Sequence, residues 1–151
     1  HVPLVIAGGP FKGGIAVEEL VSTASLPKTI LALAGVDVGD AMIGENLLDV
    51  VEKKDDNRPN EVFAQISESR VGRCIRTARY TYSVYAPGVN GGEAAAADVY
   101  ADDFLYDMEK DPHQLNNVVA DPAYVQVKEE LRERLLDWIW RAEGTRPLIT
   151  D

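Results

Sequence analysis

A single cysteine, Cys74, stands among 151 residues, so no disulfide can form within the chain. Basic side chains are scarce: 15 Lys and Arg face 25 Asp and Glu, for a net charge of −10. A nucleic-acid footprint needs a basic surface, and an anionic membrane repels this balance, so neither is an expected partner. No apolar run reaches the roughly 18 residues of a membrane span. An initiating Met is missing too. The chain opens on HVPLVIAGG, which is already strand-like, and reads as a fragment. What is present is globular: 46% hydrophobic and 26% charged residues.

Val2 to Ala7 is a continuous apolar run, the pattern of a strand covered on both faces. The loop GGPFKGGIA follows; it lacks phosphate-cradle spacing and reads as a flexible connection. SLPKTILALAG predicts a short, largely buried helix with Ser25 as N-cap and Pro27 in its first turn. Leu26, Ile30, Leu33 and Ala34 share one face of it, and Gly35 takes the left-handed C′ position. A short helical turn is expected at Asn46 to Val51, then a linker through EKKDDNRP.

Beyond the linker the period changes. Glu61 to Ser67, Gly72 to Tyr85 and Val99 to Asp107 read as strands of an antiparallel sheet, with a polar loop over Pro87 to Asp98. Asp121 and Pro122 then start an amphipathic helix, with Tyr124, Val127, Leu131, Leu135, Trp138 and Ala142 as its stripe. Trp138 belongs to the core, Trp140 to an edge, and Glu130 and Arg134 form an i,i+4 pair. The expected fold is α+β: a small antiparallel sheet covered by a C-terminal amphipathic helix, preceded by a strand and helix left from an α/β domain. The expected partition is 1–52, a linker 53–60, and 61–151.

FLYDMEKDPHQLNNVV raises a question of its own. Asp107, Glu109, Asp111 and His113 alternate, yet a Ca²⁺ site needs six to eight oxygens and no EF-hand spacing exists. Asp111-Pro112 reads as a turn, with Asn116 and Asn117 satisfying backbone groups and His113 at the surface. Asp55-Asp56 and Asp102-Asp103 read as solvated acids.

The order of segments resembles the C-terminal portion of a sulfatase, of the alkaline-phosphatase-like superfamily. HVPLVIAGGP is similar to that family's VPLII strand. VEELVSTASLPKTILALAGV resembles its ELVSLVDLAPTLLDLAGI segment, and Gly44 and Leu47 fit its G-x-x-L step. RCIRTARYTYSVYAPG resembles its IRT-x-RYKY strand, and FLYDMEKDPHQLNNVVADP its LYDLEKDP signature. The likeness spans about residues 1–143. This chain departs from the pattern at Ser25, where the family has Asp, at Lys28-Thr29 for Pro-Thr, and at Thr81 for the RYKY lysine.

The resemblance implies a parent that hydrolyses sulfate esters of small molecules or sugars. It implies a formylglycine from a C-x-P/A-x-R motif and a calcium ion held by Asp and Asn. Cys74 is followed by Ile75, Arg76, Thr77 and Ala78, so it is not that motif. Nucleophile and metal ligands would lie upstream of residue 1, leaving no catalytic or metal residue in this chain and no cofactor of its own. Its part would be to complete the fold and line the substrate cleft. Three residues are candidates for the cleft rim. Arg76 breaks an otherwise apolar strand face, so it either pairs with a neighbouring carboxylate or contacts the anionic substrate. Arg73, with Arg70, lies at a strand connection, where a solvated turn explains both equally. His1 opens the strand that, in the family, leaves the catalytic-lysine segment.

Two other readings stay open. A phosphonate or phosphodiester hydrolase of the same superfamily shares this portion, and only the nucleophile separates the chemistries. A stand-alone α+β interaction domain is the other; the apolar run 2–7 and the helix 26–34 argue against it, since both need covering surfaces. The isolated chain should therefore expose apolar surface or hide it in a homo-oligomer.

Overall fold

Short alternating segments after residue 60 pair into one sheet, and a 19-residue helix covers it. The computed structural model describes residues 2–37, 39–55 and 57–151, and the chain forms two compact units, His1–Pro59 and Asn60–Asp151.

The second unit is α+β. Its strands are β1 (Glu61–Ser67), β2 (Val71–Thr77), β3 (Tyr80–Tyr85), β4 (Val99–Asp107) and β5 (Leu148–Thr150), in the order β1-β2-β3-β4-β5. The first four run antiparallel; β5 joins β4 in parallel. The expected single strand 72–85 is thus a hairpin. It turns at Ala78-Arg79, where the Thr77 hydroxyl accepts the Tyr80 N–H at 2.8 Å. No Gly or Asn marks that turn, so the sequence carried no turn signal there. β5 was not expected at all: three residues are too few to show a period.

Asp121 accepts the Ala123 N–H at 2.9 Å and starts a 3₁₀ turn, Pro122–Tyr124. The helix α3 (Val125–Glu143) continues it and ends on Gly144 at φ 70, the left-handed cap that glycine adopts most easily. α3 packs on β2 and β3. Leu131, Leu135, Leu136 and Ile139 meet Ile75, Tyr82, Val84 and Leu105 in the core. The stripe is therefore broader than predicted, taking in Leu136, Ile139 and even Lys128. Trp138 stacks on Phe63 at 6.3 Å, whereas Trp140 is exposed.

The first unit holds α1 (Ser25–Leu33), a 3₁₀ turn (Gly39–Ala41) and α2 (Leu47–Val51). Residues 2–7 have no regular secondary structure, which corrects the expected strand. Among the described residues this unit contains no strand to pair with them, and an unpaired strand cannot satisfy its backbone groups. α1 is also turned differently from the expectation. Ser25 and Thr29 are buried, while Ile30 and Leu33 are exposed. Ser25 lies inside the helix behind Ala24, and its hydroxyl accepts the Glu45 N–H at 3.1 Å. Thr29 accepts the Leu47 N–H at 2.9 Å, while Asn46 caps α2 through the Leu48 N–H. Gly44, at φ 95, lets this loop pass: a Cβ there would sit 2.8 Å from the Ala24 carbonyl oxygen.

Candidate functional site

Alternation along β2 sends its two candidate arginines to opposite faces of the sheet. Arg73 turns toward α3 and is 2% exposed. Its Nε and Nη2 donate to the two carboxylate oxygens of Glu143 at 2.5 and 3.1 Å. The remaining donors reach the carbonyls of Gly72 and Ala95, each at 2.8 Å, and the guanidinium lies over the Tyr100 ring. Arg73 is the buried arginine paired with a carboxylate of the terminal helix, an arrangement foreseen as one reading of Arg76.

Arg76 sits on the face away from α3 and is half-buried. Its Nη1 donates to the Thr81 hydroxyl at 2.8 Å. Among the described residues it forms no ion pair, and burial lowers its pKa. Among the described residues no other hydrogen bond of its guanidinium is seen. Cys74 shares that face as expected, but because β2 and β3 form a hairpin the cross-strand neighbours of Arg76 are Val62 and Thr81, with Ser83 beside Cys74, rather than the Ala78, Tyr80, Tyr82 and Val84 expected from one long strand. Burial pushes the Cys74 thiol up to about 11, so it stays protonated near neutral pH and is no nucleophile there. Arg70, at the end of the β1–β2 connection, pairs with Asp103 at 2.5 Å and lies over Tyr85. His1 lies outside the described residues.

The stretch 104–119 closes the sheet. Asp107, at the end of β4, is almost fully buried and accepts both arms of the Arg79 fork, at 3.1 and 2.9 Å. That guanidinium holds the Asp107 carboxyl below its ordinary pKa. Asn117 accepts the N–H groups of Leu105 and Val119, as expected, whereas at Asn116 it is the main-chain N–H that is satisfied, by the Asp111 carboxylate. His113 is exposed. Among the described residues no group of three or more His, Cys, Asp and Glu could hold a metal ion. The calcium and formylglycine implied by the resemblance do not fit these residues.

Asp102 and Asp103 are not solvated acids. A bulge between Ser83 and Val84 leaves Asp103 without a register partner and turns Asp102 toward α3. There Asp102 accepts the Tyr82 hydroxyl at 2.6 Å and pairs with Lys128 at 2.7 Å and Arg132 at 3.3 Å. Sequence reasoning missed this network. Its one signal was a basic i,i+4 pair, Lys128 and Arg132, beside apolar Val127 and Leu131. A 320 Å³ cleft between the hairpin tip and α3 is lined by Thr77, Arg79, Tyr80, Val127 and Arg134. Its two arginines already pair with Asp107 and Glu61.

Residues 1–140 match the family described as N-sulphoglucosamine sulphohydrolase, C-terminal. A Delta 4,5-hexuronate-2-O-sulfatase of Bacteroides thetaiotaomicron is 33% identical over 95% of this chain and 29% of its own length. Arylsulfatase K of Danio rerio is 25% identical over 91% of this chain and 26% of its own. A solved structure of a protein with its substrate D-glucosamine-2-N,6-O-disulfate superposes with a TM-score of 0.64 at 22% identity. It covers 82% of this chain and 24% of that one, and shares the fold. The chain spans less than a third of the length of the curated relatives it matches. With the hairpin, the closing turn and all but the last three residues of the covering helix inside the matched span, the chain belongs to the N-sulphoglucosamine sulphohydrolase C-terminal family of sulfatase domains.

Proposed function

We propose that this chain is the C-terminal part of a sulfate-ester hydrolase acting on sulfated sugars, and that Arg76 contacts an anionic group of the substrate at the cleft rim. Arg76 carries the proposal: it is a partly desolvated cation without a carboxylate partner among the described residues, held by Thr81. Arg73, tied to Glu143, acts instead to hold β2 against α3. The named activity of the hexuronate sulfatase, and the disulfated glucosamine in the structural neighbour, favour a sulfated sugar. The nucleophile and calcium ligands then belong to the protein upstream of residue 1, which supplies the bond cleavage.

The test uses the longer protein that carries this chain. Sulfate release is measured over a panel of sulfated monosaccharides and disaccharides, with the unmodified chain and with Arg76→Ala. Losing one charge-assisted contact removes about 1.5–3 kcal/mol, a roughly tenfold to hundredfold rise in KM with kcat little changed. Unchanged kinetics in Arg76→Ala would remove Arg76 from the rim. Turnover of phosphodiesters without sulfate release would overturn the sulfatase reading.

A further inference from the structure

After α3 the chain turns back on itself. Gly144 ends the helix in its left-handed cap, and residues 145–151 return along it to add β5 beside β4. Opposite charges pin the two ends of this return. Arg146 donates to Glu133 at 2.7 Å and to Asp137 at 3.0 Å. Asp151 accepts from Lys128 at 3.0 Å and from Arg132 at 2.7 Å. α3 thus presents acids to the start of the segment and bases to its end. A reversed segment would set like charges together at both points, so the pattern selects the parallel direction of β5. Between the pins Ile149 is buried, while Leu148 is exposed.

The place of β5 decides what it holds. The Leu148 N–H donates to the Asp98 carbonyl at 2.9 Å, and the Thr150 hydroxyl donates to the Tyr100 carbonyl at 3.3 Å. Asp98 ends the loop 87–98, and Tyr100 organises it. The Tyr100 hydroxyl accepts the Ala97 N–H at 3.2 Å, and its ring lies under the Arg73 guanidinium, which also holds the Ala95 carbonyl. Farther back in the loop, Gly91 packs on the β1–β2 connection so closely that a Cβ would stand 2.6 Å from the Glu68 carbonyl oxygen.

Exposed ion pairs and one buried side chain make a weak attachment, of the kind that opens locally while a core stays folded. We propose that residues 145–151 are an ionic clasp, which opens as a unit and on opening frees the loop 87–98. Ionic strength is its input, because exposed pairs are screened by salt. Opening uncovers the β4 ladder at Val99–Ala101 and leaves Lys128 and Arg132 to Asp102 and Glu129.

The test is hydrogen exchange, read by mass spectrometry, on the longer protein that carries this chain. Arg146→Glu sets like charge against Glu133 and Asp137 on the surface, and Asp151→Lys does the same against Lys128 and Arg132. Each should speed exchange severalfold in 145–151 and 87–100 together, with the hairpin 71–85 unchanged. Adding Glu133→Arg and Asp137→Arg to Arg146→Glu exchanges the charges and should restore protection, which a variant that had merely misfolded would not regain. Raising salt on the unaltered protein should loosen the same two segments. Full protection in both single variants, a freed 145–151 beside an unchanged 87–100, a charge exchange that restores nothing, or indifference to salt would each overturn the proposal.

Discussion

Residues 60–151 and residues 1–59 bury their apolar side chains to different extents. The second unit buries a continuous set, from Val71 and Ile75 to Leu135 and Ile139, and places its buried carboxylates Glu61, Asp102 and Asp107 beside arginines. The first unit buries a smaller apolar set, Phe11, Leu47 and Val50, and in α1 it buries Ser25 and Thr29 while leaving Ile30 64% and Leu33 47% exposed. Its organisation rests on hydrogen bonds: the two hydroxyls to the backbone of 45–47, and Arg58 to Glu45 and the Leu20 carbonyl. The lesson is that apolar composition predicts burial only where enough surface exists to cover it. A short helix in a 59-residue unit with little else regular does not have that surface.

The sharpest way to break this contrast is at the ionic network. Asp102→Ala leaves Lys128 and Arg132 beside the core with only exposed Asp151 as a shared partner. A loss of about 3–5 kcal/mol is expected from leaving buried charge uncompensated. Both tryptophans lie in the second unit, so denaturant titration followed by Trp fluorescence reads that unit directly; an unchanged midpoint would mean solvent compensates both cations. Next in size is the core. Leu135→Ala should remove about 2–5 kcal/mol by the same assay, whereas Ile30→Ala in α1 should stay within about 0.5 kcal/mol as an exposed site. Equal effects would abolish the distinction between the units.

Thr29→Val tests the first unit on its own terms. It strips the acceptor from the buried Leu47 N–H, and a local loss of about 1–3 kcal/mol follows. Faster hydrogen exchange across 45–51, with 61–107 unaffected, is the expected signature. A smaller effect than these losses is the acid response of Asp107. Arg79 lowers its folded pKa, so this stabilisation is present above the unfolded carboxylate pKa and lost as pH falls through the folded value. Arg79 is 41% exposed, which limits the contribution to about 1 kcal/mol. The stability curves of the unaltered chain and Asp107→Asn should therefore converge in acid; a constant gap would assign the effect to shape rather than charge.

Much of the second unit could be read before any coordinates. β1, β4 and the terminal helix each run long enough to show a period, and Asp121-Pro122 marked the helix start. The hairpin at Ala78-Arg79 hid because its turn closes through Thr77 rather than through Gly or Asn. That error also put Arg76 on an apolar row that does not exist. For the candidate site, the residue types were legible and their partners were not: Arg73 reaches Glu143 across 70 positions of sequence, and Arg134 reaches Glu61 across 73. No local pattern encodes such distances.

By itself the sequence determined β1, β4 and the terminal helix, the absence of a C-x-P/A-x-R nucleophile motif, and the resemblance that the family match supports, because periods, caps and motifs are local. Tertiary structure alone decided which arginine of β2 a carboxylate holds, which aspartates are buried, and which face of α1 is exposed. Those outcomes depend on a bulge, a two-residue turn and the packing of one helix, each of which redirects side chains without leaving a mark on local composition.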